Sequence, residues 1–245
     1  METKRKLGII GKNISYSFSK KYFENKFKNL MLTNHCYDVF DLSDLSEVQK
    51  ILEIPDLAGL NVTIPYKEKI IPFLDELSDE AKYIGAVNCI SIENGIKKGY
   101  NTDAEGFEKT LLLHKKNHHQ LALILGNGGA AKAVQYVLEK NGIPYQTVSR
   151  NTALNYDNLT TDIVAQNLLI IQCTPVGTFP KVEDCVKFPF DAITENHLII
   201  DLIYNPSETR FIRNAAEKGA KTTNGFYMLE KQAEKNWEIW NIQEK

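Results

Sequence analysis

The stretch LILGNGGAAKAV, residues 123–134, joins a short apolar strand to a helix through a glycine-rich bend. It matches the pattern G-x-G-x-x-A, in which the first glycine permits a tight turn and the second lets a phosphate approach the backbone. Free N–H groups at the start of the helix then bind the anion. The stretch therefore predicts a dinucleotide site, with contacts at Gly126, Asn127, Gly128, Gly129 and Ala130. The alternative is a glycine-rich turn that binds nothing.

The residues around this bend alternate between apolar strands and helices. We predict strands at 121–126, 144–149, 168–173 and 198–204, and helices at 102–115, 129–142 and 207–219. Strands that are apolar on both faces are typical of a parallel sheet covered by helices on both sides. Residues 103–225 are therefore predicted to form a Rossmann-like nucleotide-binding domain.

The first hundred residues show a second pattern of alternating strands and helices. We predict strands at 6–11, 35–42 and 57–65, helices at 19–32, 44–54, 67–77 and 78–85, and a hairpin at 86–101 that turns at Asn94-Gly95. The amphipathic C-terminal helix, 226–245, is expected to return to this lobe. The predicted fold class is α/β with two lobes, a substrate lobe of residues 1–102 and the nucleotide-binding domain.

Bulk composition narrows the function classes. The chain has 245 residues, 43% hydrophobic and 24% charged, with a net charge of -2, which favours neither nucleic acid nor an anionic membrane as partner. Its apolar runs are too short to span a bilayer or to form a signal segment. The four cysteines are scattered without metal-ligand spacing. We expect a cytoplasmic protein with reduced thiols, no metal and a small-molecule substrate, either monomeric or a homodimer.

The strand that follows the glycine bend ends with Ser149 and Arg150. An NAD site usually has an acidic residue at this strand end, which accepts a hydrogen bond from the ribose 2′-hydroxyl. A guanidinium instead suits a 2′-phosphate, so the sequence favours NADP. The alternative is that Arg150 is a solvated surface residue.

Short hydroxyl and amide side chains lie between the apolar segments of the first lobe, near the ends of predicted strands. At such strand ends, α/β proteins bind hydroxylated small molecules. These candidates are Ser17, Ser19, Asn61, Thr63, Asn88, Asn101 and Thr102. Lys67 and Asp103 lie among them and are predicted to handle a proton. The lysine would give the proton to the new alkoxide, or take it in reverse, and the aspartate would orient the substrate and tune the lysine. The alternatives are an exposed lysine at a helix start, an aspartate that caps a helix, and serines that make turn hydrogen bonds.

Nine segments together carry a resemblance that covers nearly the whole chain: GKNISYSFSK, GLNVTIPYK, IGAVNCI, GYNTDAEGF, GNGGAAKAV, SRN, CTPVGT, DLIYNPSET and GFYMLEKQ. The chain resembles the shikimate dehydrogenases. The resemblance implies reversible NADP-dependent reduction of 3-dehydroshikimate to shikimate in chorismate and aromatic amino-acid biosynthesis. It places the catalytic pair at Lys67 and Asp103. It adds Gln232 and Tyr204 to the predicted substrate contacts, and Thr174, Val176, Gly225 and Met228 to the predicted cofactor contacts.

Several positions depart from the family pattern. Tyr16 and Lys20 stand where the family often has histidine and proline, and SRN replaces the commoner NRT. Gln172 and Thr178 replace a common asparagine and methionine. Two other functions stay open at this stage, a quinate or shikimate dehydrogenase that uses NAD and a non-catalytic metabolite sensor. Arg150 argues against the first and the retained Lys67–Asp103 pair argues against the second.

Overall fold

The computed structural model describes residues 4–15 and 17–241, which fall into two compact units with one sheet each. The first unit runs to Thr102 and resumes at Ala233, and the second unit is Asp103–Gln232. Tyr16 and residues 242–245, the end of the predicted last helix, lie outside the described residues. Within the described ranges, no helix is both long and apolar enough to cross a membrane.

The first unit is built on a mixed six-stranded sheet in the order β2-β1-β3-β5-β6-β4. Its strands are β1 Arg5–Gly11, β2 His35–Asp41, β3 Leu57–Val62, β4 Glu76–Leu77, β5 Cys89–Glu93 and β6 Ile96–Tyr100. β1 is parallel to β2 and β3, and β5 is antiparallel to both β3 and β6. The end of β1, the end of β3, the start of β5 and the end of β6 therefore lie at one edge of the sheet. We call this edge the polar edge of the first unit.

Three helices flank this sheet: α1 Phe18–Asn29, α2 Val48–Leu52 and α3 Asp79–Ile84. α1 buries Phe23 and Phe27, which is the apolar stripe expected from the sequence. α3 begins where the Ser78 hydroxyl accepts a hydrogen bond from Ala81 N at 3.1 Å, and it ends at Gly85 with a left-handed φ of 68°.

The helix predicted at residues 67–77 is wrong. That segment contains only a short 3-10 turn, Ile71–Phe73, followed by strand β4. Pro72 lies inside the turn, and a proline has no N–H to continue an α-helical ladder. The predicted hairpin is confirmed, since Asn94 and Gly95 both have positive φ, 50° and 82°, as a tight two-residue turn requires.

The second unit is built on a five-stranded parallel sheet in the order β11-β10-β9-β7-β8. Its strands are β7 Ala122–Leu125, β8 Tyr145–Val148, β9 Leu169–Gln172, β10 Leu198–Asp201 and β11 Lys221–Thr223. Its helices are α4 Asp103–His114, α5 Gly129–Lys140, α6 Thr161–Gln166 and α7 Arg210–Glu217. The chain passes from β7 outward to β8 and then returns to the other side of β7. The topological switch point, where such sheets bind ligands, therefore lies between β7 and β9.

The last helix, α8, spans Phe226–Trp240, so its first half belongs to the second unit and its second half to the first unit. In the first unit, the Trp240 indole donates a hydrogen bond to Ile90 O at 2.9 Å. The same indole fills the space above Gly59, where a Cβ would collide with it. A glycine at this position of β3 is therefore required for the helix to pack on the sheet.

Candidate active site

The glycine bend has the geometry that its sequence predicts. Gly126 follows β7 with a φ of 110°, which a residue with a side chain rarely adopts, and a Cβ there would lie 3.1 Å from Thr174 Cγ2. Gly128 is the N-cap of α5, and a Cβ at this position would meet nothing within 4 Å. Gly129 and Ala130 begin the helix behind it. The space in front of the helix N-terminus is thus open, as a pyrophosphate requires.

Further residues predicted to contact the cofactor, and the predicted substrate contact Tyr204, follow the ends of the remaining strands of the second unit. Arg150 lies just after β8, Thr174 after β9, Tyr204 after β10 and Gly225 after β11. Because all five strands are parallel, these residues lie at the same carboxyl edge as the glycine bend. The structure therefore brings five separate predicted segments to the edge where a dinucleotide would bind.

Ser149 and Arg150 take different positions in the loop after β8. Ser149 is buried, its Oγ accepts a hydrogen bond from Asn151 N at 3.3 Å, and its N–H donates to Thr152 Oγ1 at 2.8 Å. Arg150 is exposed. The serine hydroxyl thus holds the turn that presents the guanidinium, and a direct contact between Ser149 and the cofactor stays a prediction.

The loop after β9 is held by a side chain that sequence reasoning noted only as a departure. Gln172 is fully buried, and its amide donates to Thr174 O at 3.2 Å and to Val176 O at 3.4 Å. Its Oε1 accepts from Thr174 N at 2.7 Å. These bonds fix the backbone at Thr174 and Val176, the two predicted cofactor contacts in this loop.

The loop after β10 depends on a buried carboxylate. Asp201 Oδ2 accepts from Thr209 Oγ1 at 2.6 Å, and its Oδ1 accepts from Ile203 N at 3.0 Å. Burial raises the pKa of Asp201 to about 6, because removal from water disfavours the charged form more than the two hydrogen bonds favour it. Asp201 therefore shapes the loop that carries Tyr204, which is half-buried.

Gly225 lies so close to the residues that follow β10 that no side chain fits there. A Cβ on Gly225 would collide with Leu202 O, and the Gly225 N–H donates to Ile203 O at 3.0 Å. A glycine at this position is required for this approach, which sets the start of α8 beside the loop after β10.

In the first unit, a buried chain of hydrogen bonds orients Asn61. Tyr37 OH donates to Asn61 Oδ1 at 2.6 Å, and Asn61 Nδ2 donates to Asn88 O at 3.3 Å. Ser19 hydrogen-bonds the same tyrosine, and burial raises the pKa of Tyr37 well above its usual value, so it stays a donor. Tyr37 was missed by the sequence analysis because a tyrosine in an apolar strand has no signal that separates it from the core.

Asn88 is held by the end of β6. Thr102 N donates to Asn88 Oδ1 at 2.7 Å, and Asn88 Nδ2 donates to Thr102 Oγ1 at 3.0 Å. Both side chains are almost fully buried. The structure thus brings Ser19, Asn61, Asn88 and Thr102 together at the polar edge.

Ser17, Thr63 and Lys67 lie at the same polar edge and are all half-buried. Ser17 is the N-cap of α1 but makes no side-chain capping bond to it, so its hydroxyl does not serve the helix. Lys67 O accepts from Val87 N at 2.7 Å, which ties the lysine backbone to the residue before Asn88. Lys67 follows β3 in a turn, not in the helix that the sequence suggested.

Asp103, Met228 and Gln232 belong to the second unit. Asp103 is the first residue of α4 and is buried. A Cβ on Gly106 would lie 2.6 Å from Met228 O and 3.3 Å from Gln232 Cβ, so α4 and α8 are in close contact there. The predicted site residues therefore form one group in each unit, with Asp103 next to Thr102 in the chain.

No three or more His, Cys, Asp or Glu side chains are grouped to hold a metal ion within the described part of the chain. The groups predicted to act are hydroxyl, amide, ammonium and carboxyl side chains and, in the second unit, the glycine bend. A parallel sheet with this bend at its switch point, together with an α/β unit whose sheet edge carries such groups, is typical of the two-domain, nucleotide-dependent dehydrogenases.

Comparison with known proteins narrows this class. A family model described as "Shikimate dehydrogenase substrate binding domain" matches residues 9–90. The "Shikimate dehydrogenase (NADP(+))" of Desulforamulus reducens is 36% identical over 258 residues, covering 95% of this chain and 88% of that protein. The chain belongs to the shikimate dehydrogenase family, which confirms the resemblance.

Solved structures agree with the fold class. The crystal structure of shikimate dehydrogenase from Aquifex aeolicus has a TM-score of 0.88 and 35% identity, covering 99% of this chain and 94% of that chain. A quinate dehydrogenase from Corynebacterium glutamicum in complex with NAD has a TM-score of 0.87 and 25% identity, covering 99% and 95%. The predicted two-lobed α/β architecture with a Rossmann-like parallel sheet is therefore confirmed.

Proposed function

We propose that this chain is an oxidoreductase that reduces 3-dehydroshikimate to shikimate, reversibly and with NADP, in chorismate and aromatic amino-acid biosynthesis. The observation that carries the proposal is the match, at 36% identity over 95% of the chain, to a protein named as an NADP-dependent shikimate dehydrogenase. The polar edge of the first unit and the glycine bend of the second supply the groups that this reaction needs.

The polar edge suits a hydroxylated ring acid. Asn61 and Asn88 are buried and held in fixed orientations by Tyr37 and Thr102. Amides that are already oriented lose little entropy when they bind a ligand hydroxyl. The hydroxyls of Ser17, Ser19 and Thr63 add further donors and acceptors along the same edge, and we assign Gln232 and Tyr204 to the substrate as well.

The second unit fits NADP. When bound, the cofactor supplies the hydride equivalent. The chain's part is to hold it, with Gly126, Asn127, Gly128, Gly129 and Ala130 at the pyrophosphate, since the space at Gly128 is open. Arg150 binds the 2′-phosphate through a charge-assisted hydrogen bond. Ser149, Thr174, Val176, Gly225 and Met228 complete the assigned contacts.

Lys67 and Asp103 manage the single proton of the reaction. Reduction of a ketone leaves a negative oxygen that must take a proton, and the Lys67 ammonium donates it. In the reverse direction, the neutral amine takes the proton from the hydroxyl. Asp103 orients the hydroxyl toward the lysine. Both residues act on the same oxygen in this proposal.

The alternative functions are not favoured. An NAD-dependent quinate dehydrogenase would have no 2′-phosphate for Arg150 to bind, and the quinate dehydrogenase with a similar fold is only 25% identical. A metabolite sensor would need no proton donor. Identity to the NADP-dependent shikimate enzyme is higher over a similar share of the chain.

We further propose that residues 1–102, with the end of α8, bind substrate and that residues 103–225 bind cofactor. We propose a cytoplasmic enzyme, acting as a monomer or a homodimer. Light scattering during size-exclusion chromatography measures the mass against 27.8 kDa per chain and distinguishes the two states.

The test of the function is a steady-state assay of reduced nicotinamide absorbance, with shikimate and quinate each crossed against NADP and NAD. We expect the highest kcat/KM for shikimate with NADP. A higher kcat/KM for quinate, or for NAD, would replace the proposal with the corresponding alternative. No turnover in any of the four pairs, in protein that binds shikimate, would favour the sensor.

A further inference from the structure

Asn236 makes a contact at the polar edge that neither the sequence motifs nor the proposed reaction uses. Its side chain is fully buried on α8, in the part of the helix that belongs to the first unit. Thr102 Oγ1 lies 2.6 Å from Asn236 Oδ1. Thr102 is itself almost fully buried and bonded to Asn88.

The direction of these hydrogen bonds follows from counting hydrogens. A threonine hydroxyl has one hydrogen to donate, and an amide oxygen can only accept. Two oxygens compete for that hydrogen, Asn236 Oδ1 at 2.6 Å and Asn88 Oδ1 at 3.2 Å. The shorter contact receives it, since Asn88 Oδ1 already accepts from Thr102 N at 2.7 Å.

Donation therefore runs one way, from Asn88 Nδ2 to Thr102 Oγ1 and from Thr102 Oγ1 to Asn236 Oδ1. The Thr102 oxygen accepts a hydrogen bond from Asn88, and the oxygen and nitrogen ends of the Asn88 amide therefore have different partners. Its Oδ1 is engaged by Thr102 N, and one Nδ2 hydrogen is engaged by Thr102 Oγ1. A ligand oxygen would be met by the other Nδ2 hydrogen.

We infer that Asn236 is a positioning residue for substrate binding, which acts through Thr102 to hold the Asn88 amide with a donor toward the ring hydroxyls. Without the acceptor at position 236, the Thr102 hydroxyl hydrogen turns toward Asn88 Oδ1, 3.2 Å away, where it competes with Thr102 N. The hydrogen bond from Asn88 Nδ2 to Thr102 Oγ1 then weakens, and the amide is held less firmly as a donor. The inference rests on the proposed function only for the identity of the ligand.

A double-mutant cycle tests this inference. Asn236→Ala should raise the KM for shikimate about 3- to 10-fold, the worth of one hydrogen bond, and leave the KM for NADP within about twofold. Thr102→Val removes the hydroxyl at nearly constant volume. In that background, Asn236→Ala should have no further effect on the KM for shikimate, because the hydroxyl through which Asn236 acts is already absent.

Controls separate positioning from loss of stability. Asn167 is also buried, and its amide donates to Ile163 O at 2.8 Å, in the second unit. Asn167→Ala should lower the Tm without changing the KM for shikimate. If Asn236→Ala does not fold, Asn236→Leu fills the volume without an acceptor and should give the same rise in KM.

Two results would overturn the inference: an unchanged KM for shikimate in Asn236→Ala, or effects of Asn236→Ala and Thr102→Val that multiply. A readout without substrate keeps the two proposals distinct. The side-chain amide NMR resonance of Asn88 should shift in ligand-free Asn236→Ala and stay unchanged in Asn167→Ala. An unshifted resonance contradicts the inference about Asn236, whatever substrate the enzyme reduces. A wild-type protein that does not turn over shikimate contradicts only the proposed function.

Discussion

At the residue scale, Lys67 is the group whose loss should separate chemistry from binding. Lys67→Ala removes the proton donor, so kcat should fall by about 10²- to 10⁴-fold while shikimate still binds. Lys69 is an exposed lysine two positions away and is the matched control. Lys69→Ala should keep wild-type kcat. Near-normal turnover in Lys67→Ala, followed by nicotinamide absorbance, would remove Lys67 from the mechanism.

Arg150 should decide between the two nicotinamide cofactors. Arg150→Ala removes the charged partner of the 2′-phosphate, so the KM for NADP should rise about 10- to 100-fold while the KM for NAD changes little. Arg213, on α7 with 47% of its side chain exposed, is the control, and Arg213→Ala should alter neither KM. Equal effects of Arg150→Ala on both cofactors would contradict a 2′-phosphate contact.

At the element scale, the β7–α5 turn contains two glycines with different tasks. Gly126→Ala forces a side chain into φ 110° and should cost about 1–3 kcal/mol of the free energy of unfolding. The Cβ added by Gly128→Ala contacts no other atom, so the Tm should be nearly unchanged. The KM for NADP should rise, because this Cβ occupies the space in which the pyrophosphate binds. Thermal unfolding and kinetics on both variants check this. A Gly128→Ala variant with wild-type KM for NADP would place the pyrophosphate elsewhere.

The β10 loop should make the stability of the second unit depend on pH. The folded pKa of Asp201 is raised to about 6 from 3.8, so the folded state binds the proton more tightly than the unfolded state. Proton binding at Asp201 therefore adds to the free energy of unfolding, and this stabilisation is fully present below pH 3.8. It is lost as the pH rises through about 6, which lowers the free energy of unfolding by about 3 kcal/mol.

Asp201→Asn replaces the carboxyl group by an amide of the same shape, which does not titrate. Urea unfolding from pH 4 to 7 should therefore show the wild type losing stability relative to Asp201→Asn as the pH rises. A difference between the two proteins that stays constant over this range would show that Asp201 keeps an ordinary pKa.

At the scale of the whole molecule, patterns with a strong local cause were predictable from sequence. The glycine bend, the Asn94-Gly95 hairpin and the buried apolar strands of the second sheet have spacing rules, and the structure has each of them. The prediction of a helix at 67–77 is wrong because the apolar residues of that segment have helical spacing, whereas Pro72 interrupts the α-helical hydrogen bonds. Strand β11, with the sequence KTT, is too short and polar to be recognised before its neighbour β10 pairs with it.

In the candidate site too, some residues were predictable from local sequence and others depend on tertiary packing. Residues inside motifs, such as Asn61, Asn88 and Lys67, could be selected from sequence because polar groups stood at strand ends. Tyr37 and Asn236 could not, since each acts through a hydrogen bond to a residue far away in the chain. Such contacts depend on tertiary packing, which local spacing does not encode.

The central claim is that Lys67 and Asp103 act on one hydroxyl of a ring acid held at the polar edge. A crystal structure with shikimate and NADP bound tests it most directly. We expect Lys67 Nζ and the Asp103 carboxylate each about 3 Å from the same ring hydroxyl. A bound shikimate with the Lys67 amine pointing into solvent, away from every ring oxygen, would contradict the account.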